Sequence, residues 1–220
     1  MKNDQGVQPL NQLRIEYERD ILLESNVPQN PFPLFEQWIG EAMNSGQPEP
    51  NAMHLSTVDA DGMPSGRIVL LRGCDERGLT FYTNYNSDKG RHLEANPRAA
   101  ATFFWPENER QIRITGHVSR VDETESDAYF QSRPMGSRLG AWASAQSQPL
   151  TNREALEKAM EAVSAQFADP MPIPRPPHWG GYRLKPTAFE FWQGRRSRLH
   201  DRLKYSIDEA GAWTIVRLSP

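Results

Sequence analysis

Apolar positions along this chain follow two periods. Leu34, Phe35, Trp38, Ile39 and Ala42 recur at helical spacing, and Gly46 offers the left-handed residue that ends such a helix. From Met53 the pattern shortens to the two-residue alternation of strands. MHLSTVDADGMPSGRIVLLRG reads as two strands about an Asp-Gly turn, and GLTFYTN as a third after the turn DERG. Ser87 caps a short helix, SDKGRHLEAN, which Asn96-Pro97 stops. AAATFFW and RQIRITGHVSRV form a further strand pair joined by PENE. DETESDAYFQSR is helical with acidic residues in its first turn, and TNREALEKAMEAVSAQFAD is a longer helix with Thr151 at its N-cap and Glu154 three residues on. Beyond the proline-rich MPIPRPPHWGG come the strands YRLKPTAFEFW, RLKYSI and AWTIVRL, the last two joined by DEAG. Hairpins with helices inserted between them predict an α+β, mainly β fold: one antiparallel barrel with peripheral helices, not a doubly wound sheet. Residues 1–30 are expected to form a mobile arm and residues 31–220 a single domain.

Composition narrows the function. A 37% hydrophobic, 24% charged chain is too balanced for disorder, and no apolar run approaches the roughly 18–20 residues of a membrane span. The first twenty residues lack the apolar core of a signal peptide, and the lone Cys74 excludes an internal disulfide framework, so the expected location is the cytoplasm. A formal net charge of −3 argues against nucleic acid as a partner. There is no GxGxxG after a strand and no P-loop, and GSRLG lacks the serine of a nucleophile elbow. The histidines are scattered and CxxC is absent, so no metal site is expected. Cys74 falls in a turn with no motif around it.

Positive charge is nevertheless concentrated. WQGRRSRLHDRLKY packs arginines behind Trp192, and Arg198, His200 and Arg202 would alternate on one face of a strand, either as a solvated basic run or as ligand contacts. RIVLLR carries Arg67 and Arg72 at its ends, five apart and therefore on opposite faces of a strand. In FYTNYNSDKG, Tyr82, Thr83, Ser87 and Lys89 lead into a helix N-terminus, where N–H groups and the dipole favour an anion. Tyr129, Arg133 and Ser137 recur at i, i+4 and i+8, a stripe that Pro134 interrupts; around a helix and turn they would make a phosphate cradle or merely a capped polar corner.

Taken together, RIVLLR, FYTNYNSDKG, RQIRITG, YFQSRPMGSRLGAWAS, FEFWQG and RLHDR resemble the pyridoxine/pyridoxamine 5′-phosphate oxidases, from the arm to the terminal WTIVRLSP. The resemblance implies an FMN-binding split β-barrel and a homodimer with FMN at the subunit interface. It implies that pyridoxamine and pyridoxine 5′-phosphate are oxidised to pyridoxal 5′-phosphate, with hydride passing from C4′ to flavin N5 and O2 reduced to H2O2. Carried over by position, the cofactor contacts are Arg67, Ile68, Val69, Leu70, Leu71, Arg72, Tyr82, Thr83, Lys89, Gln111, Gln146, Ser147, Trp192 and Arg202. Substrate contacts are Arg72, Tyr129, Arg133 and Ser137 at the phosphate, Arg198 and His200 as catalytic residues at the pyridine ring, and Arg14 and Tyr17 from the arm.

Two positions depart from the family pattern. Arg72 stands where a lysine is usual, so a planar fork replaces a compact ammonium. Asp88 stands where an arginine is usual, which removes a cation from the flavin phosphate and predicts weaker FMN binding. The rival readings are a phenazine-type split-barrel oxidase and a non-enzymatic flavin- or haem-binding barrel.

Overall fold

The computed structural model describes residues 15–168 and 172–220. Arg14 and most of the expected arm lie outside them. Helix α1 (Pro31–Asn44) is capped by the Asn30 side chain and buries Leu34, Phe35, Trp38 and Ala42; Gly46, at φ +79°, follows it in the left-handed region. The strands are β1 (Ala52–Val58), β2 (Pro64–Leu70), β3 (Gly73–Asp75), β4 (Gly78–Asn84), β5 (Arg98–Trp105), β6 (Arg110–Arg120), β7 (Trp179–Gln193), β8 (Asp201–Ile207) and β9 (Trp213–Arg217). Helices α2 (Asp88–Ala95), α3 (Glu123–Ser132), α4 (Met135–Ala143) and α5 (Arg153–Gln166) are inserted between them.

Every strand pair is antiparallel, in the order β2-β1-β5-β6-β7-β4-β3, with β8 and β9 added beside β7. The long β7 makes the curl possible, because its first half pairs with β4 and its second with β8 while β6 follows it from Tyr182 to Gln193. The ladder shifts register between Thr115 and Gly116, and a Cβ on Gly116 would sit 2.1 Å from the Lys185 carbonyl oxygen, so the bulge needs glycine. Alternation then fills the barrel: Phe81, Phe103, Ile112, Ile114, Leu184, Phe189 and Phe191 are fully buried with Phe35 of α1. Phe130, Leu139 and Trp179 form a second cluster under α3 and α4.

Several local expectations change. Asn152, not Thr151, caps α5, its side chain accepting from Ala155 N–H. β7 begins at Trp179, inside the segment read as a proline-rich connection. Cys74 lies in the three-residue β3, not a turn, and burial pushes its thiol up to about 12. Pro134 does end α3, but it is also the N-cap of α4. Residues 15–30 are tied to the barrel: Glu18 and Arg19 N–H donate to Glu109, Tyr205 Oη donates to the Pro28 carbonyl, and Arg217 pairs with Glu24 at 2.7 Å. Among the described residues, no helix is long and apolar enough to cross a membrane.

Candidate active site

A cleft of about 810 Å³ opens where β2, the end of β4, the start of α2, the α3–α4 corner and the loop after α4 meet. The RIVLLR segment forms one wall. β2 stops at Leu70; Leu71 N–H then donates to the Asn51 carbonyl and Arg72 N–H to Thr80. That turn cancels the five-residue alternation, so Arg67 and Arg72 line the same cleft instead of facing opposite ways. Ile68, Val69 and Leu70 also line it, whereas Leu71 is buried in the core.

Lys89 lies at the cleft's inner end. Its ammonium is 3.2 Å from Thr83 Oγ1, 3.2 Å from Ser87 Oγ and 3.3 Å from Gln146 Oε1. The local sequence dictates this placement, because Ser87 caps α2 and so fixes the first turn on which Lys89 sits. With only 7% of its surface exposed, Lys89 titrates well below an ordinary lysine, at about 8; burial is the main cause and the Arg67 charge the second, with Asp88 opposing them. Asp88 lines the cleft as well, but its carboxylate is 2.5 Å from the Arg91 guanidinium. The acid that stands where the family pattern has a cation is therefore partly neutralised by its own helix.

The other end of the cleft is aromatic and cationic. Tyr82 stacks on Tyr129 at 3.8 Å between ring centroids, and burial pushes the Tyr82 phenol up to about 12. Arg133 follows α3 and lies over the Trp179 ring at 4.4 Å. Its Nη1 is buried and has no hydrogen-bond partner among the described residues. Burial also lowers the guanidinium's proton affinity, with the Arg72 charge acting in the same direction and Tyr129 against it. A buried, unpartnered cationic donor is costly unless something anionic meets it. Ser137, in the first turn of α4, completes this corner. Sequence reasoning missed Trp179, Asn84 and Ser144, which line the cleft too; Trp179 was hidden by the prolines around it.

The remaining expected contacts gather elsewhere. Gln111, Trp192 and Arg202 are cross-strand neighbours in one row over β6, β7 and β8. His200 packs on Trp192 at 4.6 Å, and Tyr17 meets both rings edge-on at 5.6 and 5.8 Å. None of these residues lines the cleft of its own chain. Nor do Arg198, His200 and Arg202 share a strand: Arg198 ends a 3-10 turn, His200 precedes β8, and only Arg202 lies in it. Left-handed backbone at Ser197 and Arg198, φ 56° and 60°, breaks the alternation. The Arg195 N–H donates to His200 Nδ1 at 3.1 Å, which leaves the ring proton on Nε2 as a donor. Burial lowers the imidazole's proton affinity, as does Arg198, so the ring stays neutral near pH 7.

Residues 39–167 match the family profile described as pyridoxamine 5′-phosphate oxidase, and residues 179–220 match pyridoxine 5′-phosphate oxidase C-terminal dimerisation region. The chain is 58% identical to a pyridoxine/pyridoxamine 5′-phosphate oxidase of Bordetella petrii over 96% of its own length and 99% of the relative's. It is 57% identical to the protein of that name from Pseudomonas paraeruginosa, over 97% and 99%. Among solved structures, PhzG of Burkholderia lata, in complex with tetrahydrophenazine-1-carboxylic acid, superposes with a TM-score of 0.85 at 34% identity, covering 91% of this chain and 98% of that one. An FMN-binding protein of Nostoc punctiforme shares the fold, with a TM-score of 0.67 at 22% identity over 84% of this chain and 97% of that one. A barrel whose cleft, dimerisation segment and near-complete relatives all agree places this chain in the pyridoxine/pyridoxamine 5′-phosphate oxidase family.

Proposed function

We propose that this protein is an FMN-dependent oxidase that converts pyridoxamine 5′-phosphate and pyridoxine 5′-phosphate to pyridoxal 5′-phosphate, with dioxygen as the final acceptor. The observation that carries this reading is the paired cation excess of the cleft: buried Lys89 beside Arg67 at one end, and Arg133 with its free Nη1 beside Arg72 at the other. Each phosphate ester brings about −1.5 to −2 near neutral pH, and two such groups match two cationic corners. Lys89, Arg67, Thr83, Gln146 and Ser147 would hold the cofactor phosphate and the chain leading from it. Arg133, Arg72, Tyr129 and Ser137 would hold the substrate phosphate. FMN, when bound, supplies the hydride acceptor that none of these side chains provides.

The row of Gln111, Trp192 and Arg202 would close the cleft of a second copy. A homodimer suits the outer sheet face, where Ile68 is 63% and Phe104 55% exposed. Across such an interface His200 would present its Nε2–H to the substrate's polar edge, and neutral imidazole does not oppose a neutral amine. Arg198 has no ion pair among the described residues and so remains available to the pyridine ring. Tyr17, on Trp192 and His200, would cover the ring from the arm side.

The test is to purify the protein, record its visible flavin spectrum and follow aldehyde formation from each phosphate ester. Aldehyde and peroxide in equal amounts are expected. A flavin spectrum without turnover of either ester would remove the enzymatic reading. Turnover of tetrahydrophenazine-1-carboxylic acid alone would favour the phenazine-type oxidase reading instead.

A further inference from the structure

Thr57 occupies a core-facing position of β1, where Met53 and Leu55 before it are apolar, and it is fully buried. A buried hydroxyl in that row is costly unless it is bonded. Its partners lead to the cleft. Arg67 Nη1 donates to Thr57 Oγ1 at 2.6 Å and to the Leu55 carbonyl at 3.2 Å, while Nη2 donates to Ser65 Oγ at 2.9 Å. On the other side, Thr57 Oγ1 is 3.1 Å from Nδ1 of His92 on α2. Arginine only donates, so Thr57 accepts from Arg67 and its own proton is left for His92 Nδ1. The Nε–H and the remaining Nη2–H of Arg67 have no partner among the described residues, and adjacent guanidinium donors suit a phosphate oxygen pair.

We infer that Thr57 is the positioning residue that aims the Arg67 guanidinium at the cofactor phosphate, and that His92 holds the Thr57 hydroxyl in the orientation that accepts from Arg67. This rests on the reading of the Arg67–Lys89 corner as the phosphate station of FMN. Without the hydroxyl, Arg67 retains the Leu55 and Ser65 contacts, but the shortest of its restraints is gone. A Thr57 that served only the core would change stability and leave the phosphate's contribution untouched.

The experiment titrates the unloaded protein with FMN and with riboflavin, which lacks the phosphate, by quenching of flavin fluorescence. Thr57→Val is expected to weaken FMN roughly tenfold, as for one charge-assisted hydrogen bond, with riboflavin unchanged and Thr57→Ser close to the parent. His92→Leu should weaken FMN by about threefold in the parent and add nothing in Thr57→Val, the coupling expected of groups acting through one hydroxyl. Equal losses for FMN and riboflavin, or an additive His92→Leu, would overturn the inference. So would parental FMN affinity in Thr57→Val; if Arg67→Ala still weakens FMN, the phosphate station itself survives. Parental affinity in Arg67→Ala would remove the station and the inference together. If Thr57→Val does not fold, the FMN-to-riboflavin ratio of His92→Leu decides, and an unchanged ratio counts against the relay.

Discussion

Arg195 lies 3.3 Å from Asp201, Arg196 2.5 Å from Glu18, and Arg202 2.8 Å from Glu190, which also takes Arg113 at 3.2 Å. Arg195, Arg196 and Arg202 belong to the most basic stretch of the sequence. In the cleft, by contrast, Lys89 touches only neutral oxygens, Arg133 Nη1 touches none, and the one acid that lines it among the described residues, Asp88, is engaged by Arg91. On the proposed reading, the cations that meet the phosphates are cleft residues without carboxylate partners, and density of positive charge along the chain does not mark them. Arg195 and Arg196, paired with Asp201 and Glu18, anchor the turn that carries His200 beside Trp192 of β7, whereas the buried cations of the cleft have no such partners among the described residues.

That contrast can be broken at either side. The largest effect is expected at Lys89: Lys89→Met should weaken FMN roughly a hundredfold, read by fluorescence titration, because it removes the buried charge and its hydrogen bonds to the ligand. An effect no greater than that of a surface lysine would dissolve the distinction. The same group gives a pH signature. Free Lys89 loses its proton at about 8, and a bound phosphate holds that proton on, so FMN affinity should be level between about pH 7 and 8 and fall as pH rises further. Lys89→Arg, always protonated, should flatten the fall. A smaller effect, about fivefold tighter FMN, is expected for Asp88→Arg, which replaces an anion at the helix start by a cation; no gain would show that Arg91 already cancels the acid. Smallest is Arg196→Ala: an exposed pair with Glu18 should leave turnover within about twofold of the parent.

How much of this was legible beforehand follows the same division. Alternation in RQIRITGHVSR gives β6 its buried and exposed faces residue by residue, and the Asp-Gly and DEAG turns place their hairpins. Short-range chemistry also reads well, as with Ser87 capping α2 and thereby placing Lys89. What failed depends on backbone choices or distant partners. β3 is too short for a period to emerge, and Trp179 opens β7 behind prolines that signal a loop. The left-handed Ser197–Arg198 pair, neither of them glycine, removes Arg198 and His200 from the strand that their spacing suggested. Nor does any local pattern say that Arg196 meets Glu18, 178 residues away, or that Arg202 meets Glu190 across the β7–β8 pair. Family resemblance named the cleft residues individually; their convergence, and the separation of Trp192, His200 and Arg202 from them, required the fold.

The most direct test of two phosphate stations is the preference for a phosphorylated over an unphosphorylated substrate. Compare kcat/KM for pyridoxamine 5′-phosphate with that for pyridoxamine in the parent and in Arg133→Met, with flavin content measured alongside. The account predicts a strong parental preference that falls by roughly a hundredfold in the variant while FMN stays bound. An unchanged preference in a flavin-loaded Arg133→Met protein would contradict it.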